Sequence, residues 1–303
     1  MTTQPGSASE RRQLINLAYR LLGSLAEAED AVQETYTRWY AMSGEQRQAI
    51  ESPGGWLTTV ASRVCLDLLG SARARRELYV GEWLPEPLPA AAEVSGAAAA
   101  DPADRVTLDE SVSMAFLVVL DTMTPAERVA FVLHDVFRYP FAEVAAIVGR
   151  TPAACRQLAS SARRRVRASR PTATPAAQRA TAVRNAAIVR DFKAAWQAKD
   201  IGALIGLLDP GVTAVADGGG LVSAALRPIE GGEQVARYLA GIVGRLERLT
   251  ITARTVNGQP GLIAELDGAV VTVFAFDIAA DKIIRIWIIR NPNKLTRWAS
   301  QAV

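Results

Sequence analysis

The stretch Thr124–Arg167, TPAERVAFVLHDVFRYPFAEVAAIVGRTPAACRQLASSARRRVR, decides how this chain is built. Thr124, Pro125 and Glu127 combine an N-cap, a proline at the first helical position, where its missing N–H is harmless, and a glutamate at the third. That combination opens a helix. Phe141–Val148 then reads as a short helix, Gly149-Arg150 as a turn, and Thr151-Pro152 as the start of another helix. A short helix, a glycine turn and a proline-started second helix make a helix-turn-helix. Ala145, Gly149 and Leu158 supply the small and apolar positions that let two helices cross closely.

Charge sharpens the reading. The 303 residues carry 34 Lys+Arg against 31 Asp+Glu, a net charge of +3. From Val144 to Arg190, however, there are ten arginines and no acid, so this segment contributes +10 and the remainder −7. Arginine suits bidentate contact with guanine and phosphate, and a helix N-terminus adds its own pull on phosphate. An acid-free run of this length inside a helix-turn-helix points to DNA rather than to a solvated cationic helix. A weaker basic group, Arg63, Arg73, Arg75 and Arg76, lies along a helix that starts near Ser52-Pro53 and runs through Trp56, Leu57, Val60, Val64 and Leu68. Taken alone, it reads equally well as helix-end charge. Trp56 is expected in the core, with a wedge against DNA as the lesser alternative.

Further toward the N-terminus, Ser24 and Glu27 have capping-box spacing, and Leu25, Ala28, Val32, Tyr36 and Trp39 follow at helical spacing as one buried stripe. The other face carries Glu27, Asp30, Gln33 and Glu34, by itself an ordinary solvated surface. Two Pro/Ala-rich segments, Leu84–Asp104 and Ser169–Ala177, read as linkers, although Trp83-Leu84-Pro85 is more apolar than a free linker needs. The expected division is a helical domain over 8–80, a linker over 81–105, a helix-turn-helix domain over 106–168, a linker over 169–180 and a third domain over 181–303.

In that third domain the period changes. Helices are expected over about Val183–Ala198, Ile201–Leu208 (capped by Asp200) and Glu233–Leu246. Strands are expected over Ile251–Val256, Leu262–Leu266, Ala269–Asp277 and Ile283–Arg290, joined by Asn257-Gly258, Asp267-Gly268 and a short Asp277–Asp281 turn. The fold class is therefore multidomain, two all-α domains followed by an α+β domain with helices on an antiparallel meander.

Composition excludes several chemistries. The single histidine, His134, rules out histidine-pair metal sites, and only two cysteines, Cys65 and Cys155, rule out a disulfide framework or zinc cluster. His134 reads as a satisfied interhelical histidine, and the two cysteines read as inert core residues. No metal, cofactor or catalytic residue is expected. The N-terminus lacks the basic start and apolar run of a signal peptide, and no stretch approaches the roughly 18 apolar residues of a membrane span. The expectation is a cytoplasmic protein with no membrane partner.

These features meet in one resemblance. Ala18-Tyr-Arg-Leu-Leu-Gly-Ser24 with Ala28-Glu-Asp-Ala-Val-Gln-Glu-Thr35 resembles regions 2.1–2.2 of extracytoplasmic-function (ECF) sigma factors of the sigma-70 family. Gly55–Asp67 and Ser71–Arg76 resemble regions 2.3–2.4, and Thr124–Arg167 resembles region 4. Trp83-Leu-Pro-Glu-Pro87, Asp217-Gly-Gly-Gly220 and Asn291-Pro-Asn-Lys-Leu295 are similar to the marker motifs of the group carrying a C-terminal SnoaL-like, NTF2-fold domain. The glycine motif of that group usually ends in lysine, here Leu221, and the last usually has aspartate third, here Asn293, so one cation and one anion are missing.

The resemblance implies σ2, helix-turn-helix σ4 and NTF2/SnoaL-like domains in that order. It implies a core-binding face of Glu27, Asp30, Gln33 and Glu34 on the polymerase β′ clamp helices, with the β flap as a further contact. Arg63, Arg73, Arg75 and Arg76 would follow the −10 element, and Thr151, Arg156, Gln157, Ser160, Arg163 and Arg164 the −35 element. Because a glycine triplet lets another backbone approach closely and Trp83-Leu-Pro-Glu-Pro87 is a rigid apolar segment, Trp83, Leu84, Pro85, Glu86 and Pro87 are expected to meet Asp217, Gly218, Gly219, Gly220, Asn291, Pro292, Asn293, Lys294 and Leu295 in a regulatory contact acting in cis, with no separate anti-sigma factor required. An unidentified small ligand of the third domain is a further partner such a fold allows. Asp217 reads as a turn residue before positive-φ positions, with a poised base as the alternative. Two other functions are consistent with parts of the pattern: a helix-turn-helix regulator with a sensor domain, and a cyclase- or isomerase-type enzyme. The absence of histidine from the third domain weighs against the enzyme.

Overall fold

The computed structural model describes residues 7–76, 79–90, 112–169, 175–245 and 248–298. The chain divides into two compact units, one of Met1–Leu78 with Phe116–Pro171 and one of Tyr79–Ala115 with Thr172–Val303.

The first unit is helical. Its elements are α1 (Ala8–Leu22), α2 (Leu25–Ala41), α3 (Gly44–Gln48), α4 (Pro53–Arg76), most of α5 (Met114–Asp121), α6 (Pro125–Phe131), a π-helical turn (Val132–Val136), α7 (Phe141–Val148) and α8 (Pro152–Ser169). The caps behave as the sequence predicts. Ser24 Oγ accepts from the Glu27 amide, and Thr124 and Glu127 form a complete capping box with Pro125 in the first turn. Helices α1, α2 and α4 pack together, burying Leu17, Leu21, Val32, Leu57, Ala61 and Cys65. Trp56 is half-buried against Trp39, ring centroids 5.2 Å apart. Helix α4 also contacts α6 and α7, and Arg128, only 4% exposed, crosses between the helical layers to the Leu21 carbonyl at 2.8 Å while pairing with Asp121 at 2.9 Å. The two sequence-defined helical domains thus form one body.

The second unit adds α9 (Pro175–Gln197), α10 (Ile201–Leu207), β1 (Leu208–Asp217), β2 (Ile229–Glu230), α11 (Gly232–Arg245), β3 (Leu249–Val256), β4 (Gln259–Leu266), β5 (Ala269–Ala279) and β6 (Lys282–Ile289), then short 3-10 turns over Pro292–Lys294 and Thr296–Trp298. The sheet order is β2-β1-β6-β5-β4-β3. Strands β3 to β6 are the expected antiparallel meander, whereas β1, absent from the sequence reading, pairs parallel to β6. Between the helices and the sheet lie Phe192, Trp196, Phe274 and Phe276, with Trp196 and Phe274 rings 5.0 Å apart edge-on and the Trp196 indole donating to the Leu239 carbonyl at 2.7 Å. Aromatic side chains therefore fill the space enclosed by the sheet and its helices, and truncating one costs about 3–5 kcal/mol.

Residues 79–90, which the sequence assigns to the end of the first domain and to a linker, belong to the second unit. Residues 91–105 and 170–174 lie outside the described residues, and the rest of the expected linker at 169–180 is helical instead, closing α8 and opening α9 at Pro175.

Candidate functional site

Helix α8 begins at Thr151, whose hydroxyl oxygen accepts from the Ala154 amide at 3.2 Å. Cys155, Ala159 and Ala162 are buried at helical spacing, so the 3.6-residue period turns Arg156, Gln157 and Arg164 to the exposed side, with Ser160 half-buried beside them. The Arg156 guanidinium lies 5.7 Å over the Phe141 ring, which stacks on His134 at 3.7 Å. His134 Nδ1 is 2.9 Å from the Tyr139 carbonyl, the satisfied interhelical histidine expected. Arg163 stands apart from the other −35 candidates: it sits at the flank of the helix and its Nε bonds Asp135 Oδ1 at 2.5 Å. Burial pushes the thiols of Cys65, to about 12, and Cys155 upward, which keeps both protonated.

Of the −10 candidates, Arg63 is exposed on α4 and donates to the Ala146 carbonyl of α7 at 2.9 Å. Arg73, Arg75 and Arg76 fall on the last turns of α4, and their side chains lie outside the described residues.

The core-binding candidates share α2. Asp30, Gln33 and Glu34 are exposed and Glu27 is half-buried; Glu34 pairs with Arg38 one turn on at 2.9 Å. Beside them is a feature the sequence reading missed, a groove of about 560 Å³ lined by Arg11, Gln33, Tyr36, Thr37, Tyr40 and Ala41. Tyr36 is 8% exposed, and its hydroxyl has no hydrogen-bond partner among the described residues. Burial pushes that hydroxyl up to about 12, with the Glu10 charge adding to it. Tyr40, 60% exposed, stacks on Tyr36 with centroids 6.3 Å apart. Tyrosines at i and i+4 were the available signal; one was read as core and the other passed over.

In the second unit the three marker motifs converge on Asp217, which closes β1 and is fully buried. Its Oδ1 accepts from the Tyr79 hydroxyl at 2.6 Å and the Gly219 amide at 3.0 Å. Its Oδ2 accepts from the Leu84 amide at 2.9 Å and from Lys294 Nζ at 2.7 Å. Lys294 also donates to the Leu84 carbonyl and lies 4.2 Å from the Trp83 ring centroid. Asn291 Nδ2 donates to the Tyr79 oxygen at 2.8 Å, and the Asn291 amide donates to the Asp217 carbonyl at 3.0 Å. Burial, followed by the Asp217 carboxylate, pushes the Tyr79 hydroxyl pKa well up, so Tyr79 stays a donor.

The attachment continues outward. Trp298 Nε1 donates to the Pro87 carbonyl at 2.9 Å, Leu88 and Asn257 exchange bonds of 3.0 and 2.8 Å, and Pro89 bridges to Val256. The glycine triplet is needed here: Gly219 has φ 64°, and a Cβ on it would stand 2.5 Å from Asn291 Nδ2.

Two sequence expectations change. Asp217 is a turn residue for Gly219, as read, but chiefly a buried anchor, and with four donors on its carboxylate no lone pair is left for a base. The loss of the usual lysine and aspartate does not remove the ion pair between the motifs. Leu221 and Asn293 are exposed, while the pair is made by Asp217 and Lys294. Tyr79, a fourth member of the centre, carried no sequence signal because its partners lie more than a hundred residues away.

Comparison with known proteins agrees with this anatomy. Sigma-70 region 2 matches residues 8–75 and Sigma-70 region 4 matches residues 113–166. The chain is 40% identical over 298 residues to the ECF RNA polymerase sigma factor SigJ of Mycobacterium tuberculosis (strain ATCC 25618 / H37Rv), covering 94% of this chain and 91% of that one. It is 37% identical over 295 residues to the "Probable ECF RNA polymerase sigma factor SigI" of Mycobacterium tuberculosis (strain CDC 1551 / Oshkosh), covering 95% and 92%. The crystal structure of Mycobacterium tuberculosis SigJ superposes with a TM-score of 0.73 at 36% identity, over 95% of this chain and 96% of that one. No helix among the described residues is long and apolar enough to cross a membrane. By sequence and by fold, this chain belongs to the ECF sigma factors of RNA polymerase, non-enzymatic initiation factors that bind core polymerase and promoter DNA.

Proposed function

We propose that this cytoplasmic sigma factor is regulated in cis by its own NTF2/SnoaL-like domain, which holds the segment between the two promoter-binding domains. The observation that carries the reading is the buried Asp217–Lys294 pair, whose bonds to Tyr79 and Leu84 make residues 79–89 part of the C-terminal unit. Because Tyr79 directly follows the σ2 domain, a domain that grips it controls where σ4 can go. That control is the role otherwise filled by a separate anti-sigma protein, and none is required. The aromatic filling of the third domain supports a regulatory element over an enzyme or a small-ligand sensor.

In the same reading, the α2 face of Glu27, Asp30, Gln33 and Glu34 docks on the β′ clamp helices, and the Tyr36–Tyr40 groove extends that face. σ4 sits at the β flap and presents Thr151, Arg156, Gln157, Ser160, Arg163 and Arg164 to the −35 duplex. Arg63, with Arg73, Arg75 and Arg76, follows the −10 strand, whose unstacking costs a few kcal/mol that pocket contacts recover. Arg63 must first release the Ala146 carbonyl.

The test is transcription in vitro with core polymerase and either the full chain or a chain ending near residue 180. The truncated form should bind core as tightly as the full chain while its promoter-dependent transcript yield changes several-fold. Equal yields from the two forms would overturn regulation in cis. Failure of both forms to support transcription above core alone would overturn the promoter-recognition reading.

A further inference from the structure

Arg163, Arg164 and Arg165 are consecutive and chemically identical, yet the structure gives them three different surroundings. Successive residues of a helix are about 100° apart. Ala162 is buried at the centre of the inward face of α8, so Arg163 and Arg165 fall on the flanks and Arg164 points out. Arg163 Nε bonds Asp135 Oδ1 at 2.5 Å. On its own side, Arg165 donates to the Thr122 carbonyl at 2.7 Å and lies 3.7 Å from Glu127. Arg164 is exposed and has no such acceptor among the described residues.

We propose that Asp135 withholds Arg163 from promoter DNA, so that Arg163 and Arg165 brace the recognition helix and Arg164 is the phosphate contact of the triplet. The proposal rests on the reading of α8 as the −35 helix and revises one residue of it. Asp135 is carried by the π-helical turn Val132–Val136, where the Phe137 amide reaches back five residues to the Val132 carbonyl at 3.1 Å. That extra residue per turn rotates the residues after Val132 relative to an α-helix, and such turns are often found at functional positions. The second carboxylate oxygen of Asp135 is buried with no partner among the described residues. If Arg163 swung out to a phosphate, the half-buried Asp135, whose Oδ2 is already buried with no partner among the described residues, would lose its cation, a cost set against any phosphate contact. Arg165 is held by two acceptors, one in the turn after α5 and one on α6, and Arg164 by none among the described residues. Asp135 is thus a positioning residue acting through Arg163.

Salt dependence distinguishes a brace from a phosphate contact. The full chain is assembled with core polymerase, and the tightest duplex it selects from a random-sequence pool is the probe. Affinity is then measured across a salt series. Arg164→Ala should flatten the log–log slope by about 0.9, the loss of one neutralised phosphate. Arg163→Gln, which keeps the stem and a donor for Asp135, should leave the slope unchanged, as should Arg165→Gln. Asp135→Asn should steepen it by about 0.9, because the freed Arg163 can then reach a phosphate. Flattening by Arg163→Gln equal to that of Arg164→Ala, or no steepening with Asp135→Asn, overturns the proposal. Slopes unaffected by both Arg156→Ala and Arg164→Ala would instead overturn the assignment of α8 to DNA.

Discussion

The outward face of α8 and the buried centre around Asp217 are each built from a few charged side chains, and they differ in what completes them. Arg156 and Arg164 are exposed on a segment that contains no acid for forty-seven residues, and among the described residues neither has a carboxylate partner. Asp217 has all its acceptor capacity filled from within the chain, by Tyr79, Leu84, Gly219 and Lys294. An exposed ion pair contributes about 0–1 kcal/mol, whereas removing one partner from a buried pair costs about 3–5 kcal/mol. On the function proposed above, unfinished charge is what meets DNA, and finished charge is the joint that holds the chain to itself.

The largest effect should come from unfinishing the buried centre. Lys294→Ala strands Asp217 without its cation and should lower the unfolding free energy of the C-terminal unit by about 3–5 kcal/mol in urea titrations. Limited proteolysis should then cut sooner between residues 79 and 90. A loss below about 1 kcal/mol would place Lys294 among ordinary surface pairs and erase the contrast.

An intermediate effect belongs to the outward face. Gln157→Ala should cost about 1–3 kcal/mol of discrimination at a single base pair of the −35 element, with other positions unaffected. Competition among singly substituted duplexes would reveal this, and a uniform loss at every position would reassign Gln157 to the backbone.

The smallest concerns Glu127, which stands between the two extremes. Burial pushes its carboxyl up, but the bonds from Thr124 and Ser161, with the Arg165 charge behind them, win and hold it below the usual glutamate range. A group depressed in the folded state contributes stability above its unfolded value, about 4.3, and loses it as pH falls through the folded value. Thermal melts should therefore decline below about pH 4.3 in the parent and less steeply in Glu127→Gln, which itself should lose on the order of 1 kcal/mol at neutral pH. Parallel declines would remove Glu127 from the comparison.

Local chemistry made most elements readable. Thr124, Ser24 and Asp200 cap the helices the sequence assigned to them, and Asn257-Gly258 and Asp267-Gly268 take the paired positive φ values, 48° and 67°, then 53° and 82°, of tight hairpins. The third hairpin is tighter than expected, turning at Ala280-Asp281 with φ of 48° and 62° and no glycine to announce it. β1 escaped because Asp209-Pro210-Gly211 looks like a turn and its inward residues, Val212, Ala214 and Ala216, are small. A register shift between Leu208 and Thr213 absorbs the interruption. The same omission hid the position of Asp217, since a residue at the end of an unseen strand cannot be placed. The motif resemblance brought residues 83–87, 217–220 and 291–295 together, but neither Tyr79 nor the division of labour among Arg163, Arg164 and Arg165 could be read, because identical residues are told apart only by their neighbours in space.

The order in which the anchor is made gives it a timetable. Tyr79 and Leu84 leave the ribosome early, region 4 ends at residue 166, and the lysine that closes the joint comes at 294. Roughly 130 residues separate the last two, on the order of ten seconds of synthesis at about 5–20 residues per second. For that interval the residues of both promoter-binding regions have been made, while the lysine of the joint has not. On the proposed function, every molecule acquires its restraint last.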